Sequence, residues 1–356
     1  MVNIDSNEVV LSWNSTIPKN PASVMKILTT AIALDKLGPT YQWHTDFYYR
    51  GTLENEILDG DLIMKGFGDP YLTSEKIWAM LRGLRKKGIK SITGDLLLDD
   101  SYFSHPNYVP GAFDNEPLRT YNVGPNALMF NFKAIEFHLE ANIKNKTVKL
   151  IQDPRLENLS VVNKLIPIDQ DCDGFQRGVR LIPNKTFNQL TFTGTFPYSC
   201  KDFSLYRSML SHNEYTFALF KNIWNQLGGE LLGSWRNIIF EPSVEPFFSY
   251  DSESLSYVIG NINKHSNNAM TRNLLLTLAA EKHPLPATEE KGRMIVQEWL
   301  NDKALNRTGF EYDNGAGLSR HSRLTTEQVT EILLGCLLYT SPSPRDQRGS
   351  RMPSSA

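Results

Sequence analysis

Ser23-Val24-Met25-Lys26 is the segment of this 356-residue chain whose residue types and spacing point most directly to chemistry. A separation of three on a helix puts both side chains on one face, so the Lys26 amine can reach the Ser23 hydroxyl. A serine at a helix start also lies beside backbone N–H groups without intrahelical partners, which suit a developing oxyanion. A neutral lysine in a partly desolvated cleft can take the serine proton, making the two a nucleophile and its base. Ser266-Asn267-Asn268 offers a second hydroxyl, able to relay a proton to a leaving amine, and an amide able to orient a substrate. Each signal is weak alone. With 27 Ser and 20 Lys, about one or two Ser-x-x-Lys spacings arise by chance. A capping serine beside a solvated lysine, and a Ser–Asn capping turn, are the ordinary readings.

Only a fold could join Ser23 to Ser266, and the periodicity outlines one. Residues 8–13 read as a strand and Ser15–Ala22 as a loop. Ser23–Leu37 reads as a mostly buried helix, with Ile27, Leu28, Ala31, Ile32, Leu34 and Leu37 in one broad stripe stopped by Gly38-Pro39. Strands and turns follow to about Tyr102. Asp59-Gly60 gives the signal of a tight turn between Thr52–Ile57 and Leu62–Lys65, and Ser74–Lys87 is helical. Residues 125–200 alternate β-branched and aromatic residues, as an all-β insert would. Helical periodicity returns at Tyr215–Leu227, Leu255–Ile262, Ala269–Ala280, Glu289–Leu300 and Thr325–Leu334, which places Ser266–Asn268 between two helices. Helices at both ends with β-rich material between them predict one discontinuous domain interrupted by an insertion.

Composition narrows the function classes. The chain is 40% hydrophobic and 21% charged, with 37 basic against 39 acidic residues, enough for two or three cored domains. The near-neutral balance argues against nucleic acid as a partner. No stretch approaches the roughly 18–20 apolar residues of a membrane span. Cys172, Cys200 and Cys336 lack metal-ligand spacing, and the histidines lack H-E-x-x-H, so a metal enzyme is not indicated. Cys172 and Cys200 could pair in an exported protein. The first ten residues have neither the basic start nor the apolar core of a signal peptide.

Five ordered pieces carry a resemblance. They are Asn20-Pro-Ala-Ser-Val-Met-Lys26, Gly60-Asp-Leu with Gly66-Phe-Gly-Asp-Pro70, Gly94-Asp-Leu-Leu-Leu-Asp-Asp-Ser-Tyr-Phe103, Ser266-Asn-Asn268 and Asp313-Asn-Gly-Ala-Gly-Leu-Ser-Arg320. From about residue 8 to 335 the chain resembles the D-alanyl-D-alanine carboxypeptidase/endopeptidase family, the class C low-molecular-mass penicillin-binding proteins. The resemblance implies an α/β fold, a penicillin-recognising transpeptidase/β-lactamase-like sandwich with an antiparallel sheet and a large β-rich insertion. It implies cleavage of terminal D-Ala from peptidoglycan stem peptides, often of D-amino-acid crosslinks as well, covalent capture of β-lactam antibiotics, and an exported, periplasmic location. Carried over by motif, Ser23 is the nucleophile, Lys26 the general base, Ser266 the proton relay and Asn268 the group that positions the substrate amide. Glu116 falls where the family has an acidic residue facing the diaminopimelate side chain, with Asp114 two residues away. No cofactor is needed for serine–lysine acyl transfer, and the sequence points to none.

On this reading residues 1–42 and 205–336 form the catalytic domain, 43–204 the insertion with a nested all-β part at 125–200, and 337–356 a non-native or disordered tail. Two departures stand out. Asn267 occupies a position where Asp is common in the family. The family's third motif, K-T-G, is not found: no lysine follows Lys303, and Arg307-Thr308-Gly309 precedes the Asp313–Arg320 segment instead of following it. The expectation is a chain cut before that strand, with its central sheet incomplete. Expressed as written, it should be poorly stable and should not release D-Ala; equal stability and D-Ala release in this and an extended form would refute that. Competing readings are a catalytically silent penicillin-binding sensor, a related esterase or β-lactamase, and a cell-wall-binding protein using the β-rich middle.

Overall fold

The computed structural model describes residues 1–6, 8–104, 108–173 and 178–340. A 3-10 turn, Ala22–Val24, leads into α1 (Met25–Leu37), whose Met25, Leu28, Ile32 and Ala33 are fully buried. The chain then runs through β1 (Gln42–Glu54), β2 (Ile57–Gly66), α2 (Ser74–Lys86), β3 (Ser91–Ile92) and β4 (Leu96–Asp99). Next come β5 (Ile135–Asn142), β6 (Thr147–Asp153), β7 (Ser160–Ile168), β8 (Val179–Pro183), β9 (Gln189–Pro197) and β10 (Asp202–Arg207). The last part holds α3 (His212–Gln226), β11 (Glu230–Leu231), β12 (Trp235–Asn237), β13 (Phe248–Ser254), α4 (Leu255–His265), α5 (Asn268–Lys282), α6 (Glu289–Asp302) and α7 (Thr326–Thr340).

Two apolar cores divide these elements. One joins α1 to α4, α5 and α6 through Leu28, Ile32, Val258, Ile262, Leu274, Leu278 and Trp299. The other spans β1–β4, α2, α3 and the all-β middle through Phe47, Leu62, Met80, Phe137, Phe192 and Trp224. A seven-stranded sheet combines β1–β4 with β11–β13, while β10-β5-β6 and β7-β9-β8 form two three-stranded sheets. The boundary expected at 204–205 falls inside β10, and β13 pairs antiparallel with β1, so later strands complete a sheet begun before the all-β middle. Cys172 and Cys200 form a disulfide, with Cα atoms 4.9 Å apart. The expected tail at 337–356 starts inside α7, and residues 341–356 lie outside the described residues.

Two local expectations are corrected. Residues 8–13 are not a strand: they supply only the Val2–Val9 bridge, and Trp13 is 83% exposed. Alternation of apolar residues fixes a strand only when a partner edge accepts its backbone. The β1–β2 turn is not at Asp59-Gly60 but at Asn55-Glu56, both at positive φ. Asp59-Gly60 lies within β2, where Gly60 faces Gly51; a Cβ on Gly60 would come within 1.9 Å of the Arg50 carbonyl. There the glycine permits close strand approach instead of a turn.

Residues 313–320 pack against the start of α1. Gly317, at φ +76°, is so close that a Cβ on it would lie 1.7 Å from the Ala22 carbonyl oxygen. Asn20 ties the same two segments, its Nδ2 donating to Ser319 O at 2.8 Å and its Oδ1 accepting from Ala22 N at 2.9 Å. Gly317→Ala is therefore expected to lower the unfolding free energy by about 2 kcal/mol or more in urea denaturation. Gly260→Ala, in α4 with no atom within 4 Å of the added methyl, should instead leave stability unchanged or raise it by up to about 1 kcal/mol.

Candidate active site

Ser23 occupies the middle of the 3-10 turn, directly after Ala22, whose φ of +46° turns the chain sharply into α1. One turn later Lys26 is 2% exposed. Its Nζ donates to Ser23 Oγ at 3.1 Å and to the Ala316 carbonyl at 2.7 Å. Among the described residues no carboxylate lies within ion-pair distance of this amine. Burial, and after it the positive charge of Arg272, bring the Lys26 pKa from the ordinary lysine value down to about 8. Near neutrality a useful fraction is then unprotonated and able to accept the Ser23 proton.

Ser266 reaches the same point from α4. It is the C-cap of that helix, in the left-handed conformation at φ 53°, ψ 40°, and its Oγ donates to Ser23 Oγ at 2.8 Å. A β-carbon in this region costs about 1 kcal/mol or more. The conformation ends α4 and lets α5 begin at once, with Asn267 Oδ1 capping Met270 N at 3.0 Å. Asn268 follows at the first turn of α5, and its Nδ2 donates to the Tyr121 carbonyl at 3.2 Å.

Ser23 and Asn268 line an open cavity of about 380 Å³ together with Asn20, Phe113 and Gly317–Ser319, and Lys26 and Ser266 touch it through Ser23 Oγ. A larger hollow of about 630 Å³ lies between the first thirteen residues and α7, but it presents no nucleophile–base pair. The chemistry, not the volume, locates the site.

Four of the five sequence-predicted residues thus meet: Ser23, Lys26 and Ser266 in one hydrogen-bonded chain, with Asn268 on the same cavity. Glu116 stands apart. Its carboxylate is exposed, pairs with Arg119 at 3.7 Å and does not line the cavity. The acidic group tied to this neighbourhood is Asp114, whose Oδ2 accepts from Tyr121 Oη at 2.8 Å and whose Oδ1 accepts from Asn122 Nδ2 at 2.8 Å. Sequence reasoning missed the anchoring carbonyls of Ala316 and Tyr121, which carry no side-chain signature. The Gly-Ala-Gly run at 315–317 was the available hint of close backbone approach to Lys26. Among the described residues no cluster suited to a metal ion occurs, and no helix is long and apolar enough to cross a membrane.

The chain is similar to known proteins over most of its length. D-alanyl-D-alanine carboxypeptidase DacB of Haemophilus influenzae is 25% identical over 332 residues, covering 93% of this chain and 69% of that protein. The D-alanyl-D-alanine carboxypeptidase of an Actinomadura species is 24% identical over 326 residues, covering 88% of this chain but 59% of the relative. The crystal structure of penicillin binding protein 4 (dacB) from Haemophilus influenzae superposes with a TM-score of 0.80 at 24% identity, covering 95% of this chain and 74% of that one. The same protein in complex with a β-lactam superposes with a TM-score of 0.74. The fold is therefore the penicillin-recognising α/β fold. The D-Ala-D-Ala carboxypeptidase 3 (S13) family matches residues 1–339, nearly the whole chain, and this protein belongs to that family.

Proposed function

We propose that this protein is a serine-type D-Ala-D-Ala carboxypeptidase/endopeptidase acting on peptidoglycan stem peptides through an acyl-enzyme on Ser23. The observation that carries the reading is the chain of hydrogen bonds from Lys26 Nζ and Ser266 Oγ to Ser23 Oγ. Neutral Lys26 accepts the Ser23 proton as Oγ attacks the carbonyl carbon of the penultimate D-Ala. The tetrahedral intermediate expels the terminal D-Ala amine, which takes a proton relayed through Ser266 Oγ. Water then attacks the ester, Lys26 again taking a proton, and Ser23 is regenerated. Asn268 orients the substrate amide. A β-lactam enters the same first step, its strained ring amide opening onto Ser23 Oγ.

The family and the Cys172–Cys200 disulfide support an exported, periplasmic setting, since such bonds persist in oxidising compartments. The catalytic domain in this reading is built from both ends of the chain around the β-rich middle. The pairing of β13 with β1 supports carrying the insertion through to Ser254. Glu116 or Asp114 would meet the substrate's side chain at the rim, and the hydrogen bonds of Asp114 to Tyr121 and Asn122 favour Asp114.

Acylation is the step to test, because the three groups proposed to move its proton, Ser23, Lys26 and Ser266, are hydrogen-bonded to one another through Ser23 Oγ. Fluorescent penicillin is expected to label one site, and mass spectrometry should map the adduct to Ser23. Labelling that persists in Ser23→Ala would refute the assignment. Lys26→Met should slow acylation by roughly 10²–10⁴-fold. With the amine's pKa at about 8, the acylation rate should fall about tenfold per pH unit below that point as the ammonium form takes over, and level off above it. A rate independent of pH from 6 to 9 would remove Lys26 as the base.

A further inference from the structure

Arg272 is a buried charged residue that the acylation chemistry leaves unused. It sits on α5 one turn after Asn268, on the same helix face, and is 3% exposed. Its Nη1 donates to the carbonyls of Tyr121 at 3.1 Å and Val123 at 2.7 Å. Asn268 Nδ2 donates to that same Tyr121 carbonyl. One backbone oxygen is thus held from two points of one helix, and the second point is a cation. The guanidinium also lies over the Tyr108 ring, 5.4 Å from its centroid. Among the described residues no carboxylate forms an ion pair with it, and its buried Nε meets no acceptor. Leaving a guanidinium buried without a carboxylate costs several kcal/mol, so a residue kept in that state calls for a reason.

We propose that Arg272 is a positioning residue for acylation: it fixes the Tyr121–Val123 segment that orients the Asn268 amide, and it sets a permanent positive charge behind the Ser23–Lys26 pair. The inference rests on the proposed function above and adds to it a residue outside the recognised motifs. Arg272 is the charged neighbour that, after burial, most disfavours the ammonium form of Lys26. Other groups face the two cations. From the loop after α6 come Asp313 and the Tyr312 hydroxyl, the latter bound to Thr29; from α6 comes Glu289; and from the 108–123 segment comes Tyr108. Asp313 and Glu289 act on Arg272 and partly offset its charge, Tyr108 stays neutral because burial raises its pKa, and none of them is a cation that could stand in for Arg272.

The test reads the Lys26 titration directly, by NMR of Cε-labelled lysine in the full chain, with the signal assigned by its loss in Lys26→Met. In Arg272→Gln the Lys26 midpoint should rise by roughly half a unit to one unit, and the lower limb of penicillin acylation should move up by the same amount. Arg272→Lys, which keeps the charge but not the fork, should leave the midpoint near the wild-type value while slowing acylation at every pH. Arg272→Met serves for the midpoint if Arg272→Gln does not fold. An unmoved midpoint in the neutral variants would overturn the proposal, as would a midpoint that rises equally in Arg272→Lys. Wild-type protein that titrates as expected but is not acylated on Ser23 would overturn the hydrolase reading instead. Glu289→Gln, which removes a charge that partly offsets Arg272, should leave the midpoint in place or lower it, and a rise there equal to that in Arg272→Gln would also overturn the proposal.

Discussion

A lysine amine taken out of water must either find a carboxylate or give up its proton more easily, and most of the site follows from the second outcome. Lys26 is anchored by a carbonyl and a hydroxyl, neither of which carries a charge that would hold the proton in place. A carboxylate at the same distance would have fixed the ammonium form and left Ser23 without a base. Using a carbonyl makes a geometric demand, because a backbone oxygen can reach a buried amine only if its own segment packs against the helix. The left-handed Gly317 and the contact of its backbone with Ala22 meet that demand.

The same economy explains why the reacting groups sit at helix ends. Ser23 precedes α1, Ser266 closes α4 and Asn268 opens α5, and these three helices share one apolar core. Rigid elements carry the termini into register, while the terminal residues keep polar groups that a helix interior would have consumed in its own ladder. The left-handed Ser266 is the strained member. Its cost is borne by the packing of α4 and α5 on α1, and it aims a hydroxyl at Ser23 that a regular helical residue would turn aside.

Sequence reading reached the parts that depend on side-chain identity and period. The Ser23–Lys26 spacing, the helices flanking Ser266–Asn268 and the β-rich middle all follow from side chains that repeat at a period or sit at a cap. It failed where backbone decides. Asp59-Gly60 has turn chemistry, yet a facing glycine makes it a place of strand contact. The strand expected at 8–13 depended on a partner edge that alternation cannot supply. Between Glu116 and Asp114, two positions apart in a loop, sequence reading could not choose: Glu116 pairs with Arg119 and Asp114 bonds Tyr121 and Asn122, contacts that only the folded backbone sets. Ala316 and Tyr121 act through carbonyls and could equally have been other residues.

The middle residue of the second motif gains a meaning in this light. Asn267 caps α5 through its side-chain oxygen, a task asparagine and aspartate perform about equally well. The departure from aspartate therefore leaves the helix start intact. It does change the charge next to Ser266, one hydrogen bond from Ser23. An aspartate there would favour the ammonium form of the nearby lysine, whereas a neutral cap does not. Asn267 and Arg272, five positions apart at the start of α5, thus act in the same electrostatic direction: both keep the surroundings of Lys26 from stabilising its proton, one by withholding a negative charge and the other by supplying a positive one.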